Sequence, residues 1–377
     1  MKFTIRFSKG VFMLLVSLGI VLGGLSAAAV SEKAVELRER SVIDMRGRAV
    51  SVPAEVKSVI ALDAGSLRLI TYLDAVDLVV AVEDAGHGRE KSDYEFFSLA
   101  TYRIAHPSLR ELPSIGSAEN YEALIGANPD LIISSAVDVQ KLDHLQAMVD
   151  IPVLGVDVDI ELYDIAAFYH QISLLGEVLD REARAESLNA GIATVLGDLE
   201  GRKREVSDVK RAYAAGMMYY GPADLLRTTG DFIPFDFIGV ENVMPTNPVG
   251  NRQPYMTTLE HLIAAEPDYV FLDAANMHLS QAGYLANQKV LTELVPAFAA
   301  QEVYSTFVYK YYGTNWENQL VNVYFVGSVL YPELFGDKSV ETYAEEIWEL
   351  FFNLPLSYDT VAAVQGVRPG RVSWFGE

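Results

Sequence analysis

The chain has 377 residues, of which half are hydrophobic, 51 are acidic, 29 are basic and none is cysteine. The formal net charge of −22 argues against nucleic acid or an anionic lipid surface as a partner, and it fits a protein that remains a soluble monomer. The lack of cysteine excludes a disulfide scaffold, a cysteine nucleophile and a thiolate metal site, and the length allows two lobes of about 130–150 residues each.

The first 29 residues are typical of a signal peptide. They contain three basic residues and no acidic residue, an apolar run from Val11 to Leu25, and small residues from Ser26 to Ala29 at an A-x-A-type cleavage site. An uncleaved membrane anchor is the alternative, but the apolar run is short for a span. We therefore expect export to the periplasm with cleavage, which would take the net charge from −22 to −25. Because no cysteine can carry a lipid, we expect a freely diffusing protein.

Short buried-strand patterns alternate with helical patterns between residues 42 and 160. A glycine turn at Gly47 separates two alternating stretches between Val42 and Pro53, which predicts a small hairpin. Alternation of strands and helices is typical of a parallel sheet that is covered on both faces. The predicted strands are Val56–Leu62, Leu78–Val82, Leu131–Ser134 and Val153–Val156, and the first predicted helix is Leu67–Leu73.

The stretch from Glu161 to Arg204 contains no proline and repeats apolar residues at steps of three and four. This period predicts helix over a longer span than an ordinary globular helix needs. A polar break at Gly176–Glu182 predicts two helices, with Asp180 as the N-cap of the second, which would be about 35 Å long. We interpret the stretch as a helical connection between two similar lobes.

The strand and helix pattern repeats after this connection, with Asn353–Glu377 as a loop-like end. The sequence therefore predicts an α/β fold of two similar lobes with central, mostly parallel sheets, joined by a single long helix. The predicted domains are the signal peptide (1–29), an N-terminal lobe (30–160), the helical segment (161–204) and a C-terminal lobe (205–377). The second-half elements are the strands Ala212–Met218, Tyr269–Leu272 and Val303–Val308 and the helices Asn318–Leu330 and Val340–Phe352.

A local repeat supports the two-lobe interpretation. Residues 121–133 read YEALIGANPDLII and residues 259–271 read LEHLIAAEPDYVF, with six of thirteen positions identical. Each copy predicts a short helix stopped by proline, with an aspartate that leads into an apolar strand. Glu122 and Glu260 lie in the first helical turns, where helix capping explains them well, with Thr257-x-x-Glu260 as a capping box. Their recurrence in both lobes also favours a shared external role.

Four stretches carry a resemblance to a known family. They are Ile43–Pro53 (IDMRGRAVSVP), Leu112–Gly116 (LPSIG), the two copies of the repeat, and Gly239–Val243 (GVENV). In this order and spacing they resemble the class III periplasmic binding proteins, the receptors of ABC importers for iron–siderophores, cobalamin and haem. The resemblance covers most of the mature chain and implies two α/β lobes held nearly rigid by a helical strut, with ligand in the cleft between them. It also implies that Glu122 and Glu260, one on each lobe, meet arginines of the permease dimer.

Three loops of the second half carry residues suited to ligand contact: Gly216–Gly221, Asp273–His278 and Tyr309–Trp316. Ligands of open α/β sheets lie at the carboxyl ends of strands, where these loops would be. Aromatic rings offer flat contact to a large chelate, and arginine or Lys310 could meet its oxygens. Packing is the alternative for the tyrosines, of which the chain has 20. The predicted ligand-contacting residues are Tyr219, Arg227, Tyr309, Tyr311, Tyr312, Trp316, His87 and His278, with Arg252 and Tyr255 as weaker candidates.

The six histidines bear on the choice between a bare metal ion and a chelated one. They are scattered, and no two have ligand spacing on one helix. A metal that arrives inside a chelator needs few ligands from the protein, so the pattern favours a metal chelate, above all an iron–siderophore. Cobalamin, haem and a metal oxyanion such as molybdate remain alternatives. We predict no cofactor and no metal site of the protein's own.

Motifs of catalysis are missing from the sequence. It contains no GxxxxGK[ST], so the chain is not the ATPase of an importer, and it contains neither G-x-S-x-G nor H-E-x-x-H. We therefore predict a binding protein and not an enzyme. An extracytoplasmic hydrolase whose site is assembled from distant residues remains the alternative from a different class.

Overall fold

The computed structural model describes residues 39–63, 65–83, 100–218, 223–250, 252–311 and 313–375. The strands are β1 (Glu39–Ile43), β2 (Ala49–Pro53), β3 (Val59–Leu62), β4 (Val79–Val82), β5 (Leu131–Ser134), β6 (Val153–Gly155), β7 (Arg211–Ala215), β8 (Arg227–Thr228), β9 (Glu241–Asn242), β10 (Tyr255–Met256), β11 (Tyr269–Asp273), β12 (Val303–Thr306) and β13 (Gly370–Arg371). The α-helices are α1 (Ser66–Tyr72), α2 (Thr101–Ala105), α3 (Tyr121–Ala127), α4 (Val139–Val149), α5 (Ile165–Val178), α6 (Glu182–Glu205), α7 (Ile233–Asp236), α8 (Leu259–Ala265), α9 (Met277–Ala286), α10 (Gln288–Leu294), α11 (Pro296–Ala299), α12 (Trp316–Leu330), α13 (Pro332–Phe335), α14 (Val340–Phe352) and α15 (Tyr358–Gln365).

The first sheet has the strand order β4-β3-β5-β6, and every pair in it is parallel. All four residues of β3 are buried, and they alternate between two apolar cores. Val59 and Ala61 pack in one core, while Ile60 and Leu62 pack in the other. A strand that is covered on both faces reads as a continuous apolar run, which is why the sequence predicted this sheet.

The hairpin of β1 and β2 forms a separate two-stranded sheet. Val42 pairs with Val50 across the antiparallel ladder, and Gly47 takes a φ of 77° in the turn, a conformation that favours glycine. Buried Asp44 accepts hydrogen bonds from the backbone N–H groups of Arg48 and Gly155, both at 2.9 Å. The hairpin that the sequence predicted is therefore anchored to the end of β6.

The second sheet has the order β10-β8-β7-β11-β12-β13, with β9 paired to β7. At its centre, β11 pairs in parallel with both β7 and β12. Antiparallel pairs lie on both sides of this centre, since β8 pairs with β7 and with the edge strand β10, and β13 pairs with β12 at the other edge. The predicted α/β class with mostly parallel central sheets is confirmed. We refer to each sheet with its covering helices as the first and the second lobe.

Two helices, α5 and α6, connect the sheets. They pack closely, because a Cβ placed on Gly176 would lie 2.5 Å from the Cβ of Ala185. The break falls where the sequence placed it, but Asp180 is not the N-cap. Asp180 takes a left-handed φ of 54°, and Arg181 is the residue that precedes the helix. The second helix has 24 residues and is therefore about 36 Å long.

Two predictions about the end of the chain need correction. The helix expected from Asn318 begins at Trp316 instead. Residues 353–377 are not simply loop, because they contain α15 and β13. The ring of Trp374 stacks on Tyr284, with ring centroids 5.6 Å apart. The tail is therefore part of the core of the second lobe.

Candidate ligand-binding cleft

The carboxyl ends of the parallel strands carry the polar residues of the first lobe. Asp63 follows β3, Glu83 follows β4, and Asp157 and Asp159 follow β6. The hydroxyl of Ser134, the last residue of β5, donates to Asp63. This edge is where open α/β sheets bind their ligands, and in the first lobe it is rich in carboxylates.

Glu83 is the most perturbed carboxyl of this edge. Burial, together with the negative charges of Asp63 and Glu119, raises its pKa to about 7. The backbone N–H groups of Asp63 and Ala118 oppose this rise. A carboxyl with such a pKa titrates near neutrality, which is a property that clusters at functional sites.

Arg46, in the turn of the hairpin, joins two loops of this edge. Its guanidinium donates to the Asp157 carboxylate at 3.0 Å and to the carbonyl oxygens of Ser135 and Ala136, both at 3.3 Å. Asp157 also accepts the N–H of Asp159 at 3.0 Å, which orders the loop after β6. The sequence pattern did not predict this role, although Arg46 lies within one of the stretches that carry the resemblance.

The loop that follows β12 contacts the first lobe directly. The backbone N–H of Thr314 donates to the carbonyl oxygen of Val158 at 3.0 Å, and Lys310 forms an ion pair with Glu161. Gly313 has a φ of 89°, and a Cβ there would lie 3.0 Å from the Cβ of Val158. This loop therefore belongs to the junction between the lobes, and its lysine is already paired.

Two aromatic residues predicted to contact ligand lie in the interior. Trp316 has no exposed surface, and its indole N–H donates to the carbonyl oxygen of Ile160 at 2.7 Å. Tyr309 is 3% exposed, and its hydroxyl accepts the N–H of Ile233 at 3.3 Å. Both side chains are used to hold the fold, so neither presents a surface to a ligand in this structure. The packing alternative describes them better.

Tyr311 is partly buried, and a network of buried polar residues lies behind it. The guanidinium of Arg68, on α1, donates to the carbonyl oxygen of Tyr311 at 2.9 Å and to the side chain of Asn315. Tyr72, one turn later, donates its hydroxyl to the fully buried carboxylate of Glu317. Burial raises the pKa of Glu317, and the charge of Arg68 opposes the rise. The lobes are therefore joined by buried charges as well as by helices.

Arg227 and Arg252 lie on the side of β8 and β10 in the second lobe. Arg227 is half-buried as the first residue of β8, and its buried Nε has no hydrogen-bond partner among the described residues. Arg252 lies 3.8 Å from the Asp231 carboxylate, and its guanidinium carbon is 4.3 Å from the ring centre of Tyr163. Arg252 therefore bridges the second lobe and the segment before α5, while the Nε donor of Arg227 stays unpaired within the described part of the chain.

The other predicted ligand contacts have different outcomes. His278 is exposed in the first turn of α9, directly after the loop that follows β11. Tyr219, Tyr312 and His87 lie outside the described residues. Their contact with a ligand stays a prediction.

Asp273, the last residue of β11, lies at the corresponding edge of the second sheet. It begins one of the predicted ligand loops but was not among the predicted ligand-contacting residues. It is 2% exposed and accepts the N–H groups of Ala275 at 2.8 Å and Tyr309 at 3.3 Å. Burial raises its pKa to about 7, and the N–H groups of these residues and of Met218 oppose the rise. The sequence feature that could have identified it is an aspartate at the end of a buried apolar strand.

The two copies of the repeat form the predicted helix and strand in both lobes. Glu122 and Glu260 are exposed, and each is the second residue of its helix. The N-caps are Asn120 and Thr258, whose side chains accept the N–H groups three residues later. Thr257 is therefore not the cap that we expected. It is buried, with its hydroxyl 3.8 Å from the sulfur of Met244.

Two further features bear on the class of ligand and on membrane insertion. Within the described residues, no group of three or more histidine, aspartate and glutamate side chains could hold a metal ion. In the same part of the chain, no helix combines the length and the apolar character that a membrane crossing requires.

Together, two α/β lobes joined by helices, with polar loops at the facing strand ends, define a two-lobed solute-binding protein. Residues 59–306 match the family model described as periplasmic binding protein, which covers more than half of the chain. The chain belongs to this family, whose members are solute-binding proteins that work with ABC transporter permeases in the periplasm. No curated protein sequence matches it significantly.

Solved structures share the fold at low sequence identity. An ABC transporter solute-binding protein from Sulfurospirillum deleyianum has a TM-score of 0.61 and 19% identity, over 86% of this chain and 98% of that one. The molybdate-binding protein MolA of Haemophilus influenzae, bound to molybdate, has a TM-score of 0.64 and 17% identity, over 84% and 99%. A protein of an Fe3+-hydroxamate transport system from Saccharomonospora viridis has a TM-score of 0.52 and 17% identity, over 78% and 99%. This fold therefore serves ligands of different chemistry.

Proposed function

We propose that this chain is the receptor of an ABC importer for a ferric siderophore, which it takes up between the two lobes as an intact metal chelate. The single observation that supports this choice is the excess of carboxylates at the strand ends of the first lobe. Asp63, Glu83 and Asp159 follow three of its strands, while the two cations that act on Asp159, Lys310 and Arg46, are already paired with Glu161 and Asp157.

Electrostatics separate the ligand classes. An oxyanion such as molybdate would meet uncompensated negative charge at this edge, and desolvation strengthens that repulsion. A ferric trihydroxamate is neutral, and it becomes a cation when its backbone carries an ammonium group. Such a chelate brings all the iron ligands with it, so the protein needs only complementary charge and apolar contact. The carboxylates therefore favour a neutral or cationic chelate over molybdate and over haem, whose propionates are negative. Cyanocobalamin is also neutral, so only its binding in a direct comparison separates it from the ferric chelate.

Isothermal titration calorimetry with a defined panel tests the proposal. The panel is Fe(III)–desferrioxamine B, sodium molybdate, cyanocobalamin and haemin. We expect one equivalent of the cationic ferric chelate to bind, and Asp159→Asn to weaken it several-fold because an exposed carboxylate facing the ligand is lost. The matched control is Glu205→Gln at the end of α6, which should not change affinity. Tight binding of molybdate with none of the ferric chelate would overturn the assignment.

We also propose that Glu122 and Glu260 are the contacts with the permease dimer. Both are exposed at equivalent positions of the repeat, and neither side chain has an ion-pair partner among the described residues. The pKa of Glu260 is lowered, first by its own backbone N–H and then by Thr258, so that this side chain is ionised at neutral pH. Two fixed negative charges on separate lobes suit arginine partners on a two-fold symmetric membrane protein.

A further inference from the structure

Asp273 occupies a central position among the loops of the second lobe. It ends β11, the strand between β7 and β12, and its carboxylate touches loops that belong to different strands. Oδ1 accepts the N–H of Ala275 in its own loop, and Oδ2 accepts the N–H of Tyr309 in the loop after β12. The N–H of Met218, in the loop after β7, also interacts favourably with it.

Burial of the Asp273 carboxylate costs free energy of folding. The carboxylate is almost fully buried, and backbone N–H groups alone lower its pKa, with no cation among the described residues that does so. A buried carboxylate without a counter-ion destabilises the fold unless hydrogen bonds compensate, and an apolar residue at this position would avoid the cost. The presence of such a group at a strand end indicates a role beyond stability.

We infer that Asp273 is a positioning residue for ligand binding, which fixes the loops after β7, β11 and β12 in one arrangement relative to one another. The inference rests on the proposed function, because those loops form the side of the cleft that belongs to the second lobe. It predicts that the loops loosen together when the carboxylate is altered. Ligand affinity then falls without a global change of fold.

The chemistry of the contact gives the inference a pH dependence. Burial raises the pKa of the carboxyl in the ordered loops, so its protonation favours that arrangement, and loop order decreases as the pH rises through about 7. The titratable side chains on the neighbouring elements do not account for this pH dependence. The phenol of Tyr309 is turned to the N–H of Ile233, and His278 on α9 is exposed.

Asp273→Asn is the direct test. The amide has the same size but replaces one acceptor oxygen with a donor, so the N–H of Ala275 or of Tyr309 loses its partner. Hydrogen–deuterium exchange should rise together in peptides that cover residues 216–218, 274–276 and 307–311, while α14 remains as protected as in the wild type. The matched control is Asp198→Asn on α6, which leaves these loops unchanged.

Binding supplies the second readout. Fe(III)–desferrioxamine B should bind Asp273→Asn about tenfold more weakly at about pH 8, which is the loss expected for one hydrogen bond to a charged group. Between about pH 8 and about pH 6, the exchange of these loops should change less in Asp273→Asn than in the wild type. A purely structural role would lower stability without removing this pH step.

Exchange and binding separate the two proposals. Unchanged exchange in all three loops would overturn the role of Asp273, whatever the ligand. Raised exchange together with no binding of the ferric chelate by the wild type would contradict the proposed function alone. If Asp273→Asn does not fold, exchange of the wild-type loops from about pH 8 to about pH 6, corrected for the intrinsic rate, decides instead. Exchange that stays flat over that range would equally refute the inference.

Discussion

The indole N–H of Trp316 donates to the carbonyl oxygen of Ile160 at 2.7 Å. Trp316 begins α12 in the second lobe, and Ile160 lies between β6 and α5 in the first. This bond, with the one from Thr314 to Val158, ties the lobes together beside the helical connection. Movement of one lobe against the other must break buried hydrogen bonds, which is costly in a water-free interior.

The first prediction is that ligand binding changes the overall dimensions little. The α6 helix and the buried bonds of Thr314 and Trp316 resist hinge motion, so small-angle scattering should give nearly the same radius of gyration with and without Fe(III)–desferrioxamine B. A contraction like that of hinged two-domain receptors would show that the junction opens.

The second prediction concerns the buried charge of Arg68. Arg68→Met leaves the carboxylate of Glu317 buried without its cation, which should lower the free energy of unfolding in urea by about 3–5 kcal/mol. Arg204→Met is the control, because its pair with Glu200 is exposed on α6 and should change stability by less than about 0.5 kcal/mol. Adding Glu317→Met to Arg68→Met should recover part of the loss. Equal stability of Arg68→Met and Arg204→Met would show that the buried charges of Arg68 and Glu317 do not stabilise the junction between the lobes.

The third prediction compares two glycines. Gly313→Ala places a Cβ against Val158 at a φ of 89°, so it should weaken the lobe junction and lower the melting temperature. Gly197→Ala, inside α6, meets nothing within 4 Å and should stabilise by about 0.5–1 kcal/mol through helix propensity. Differential scanning calorimetry measures both, and a stabilising Gly313→Ala would contradict the close approach of Gly313 to Val158.

The fourth prediction follows from the raised pKa of Glu83. Between the ordinary value of 4.5 and about 7, the folded chain holds a proton on Glu83 that the unfolded chain has lost. The free energy of unfolding therefore falls as the pH rises through this window. Glu83→Gln removes this contribution, so the variant should gain on the wild type from about pH 5 to about pH 7. If the stability of the two proteins changes with pH in the same way across that range, the pKa of Glu83 is not raised. Asp273 contributes equally to the pH dependence of both proteins, so it does not affect the comparison.

The fifth prediction tests the permease contacts. Reversing both Glu122 and Glu260 to arginine should abolish uptake in proteoliposomes that contain the importer, because two ion pairs become repulsions. Calorimetric binding of the ligand should be unchanged, since both side chains are exposed in the first turns of α3 and α8 and neither is among the predicted ligand contacts. Reversal of Glu186 on α6 is the control. Full transport by the double variant would disprove the assignment.

Local patterns allowed most of the fold to be predicted from the sequence. The apolar run of β3 and the helical period of α5 and α6 each involve residues that are close in sequence, so both patterns can be recognised from one sequence alone. Capping was less accurate, because Thr257 and Thr258 are chemically equal and only the backbone decides which one precedes the helix. The α15 helix was missed because it is short and follows a loop.

The candidate site was harder to predict, since its contacts join distant parts of the chain. Nothing near Trp316 in the sequence marks Ile160 as its partner, so a large aromatic residue in a loop pattern was interpreted as a ligand contact. Arg46 and Asp273 are single polar residues whose neighbours come from other loops. Their roles become visible only when the strands are brought together at one edge of a sheet.

The most direct test of the central claim is native mass spectrometry of the protein purified from its own periplasm, with an absorption spectrum of the same sample. We predict an adduct that contains iron, with the visible charge-transfer band of a ferric siderophore. A corrin or Soret spectrum would contradict this ligand and indicate cobalamin or haem. A small colourless adduct would indicate an oxyanion and contradict our interpretation of the carboxylates at Asp63, Glu83 and Asp159.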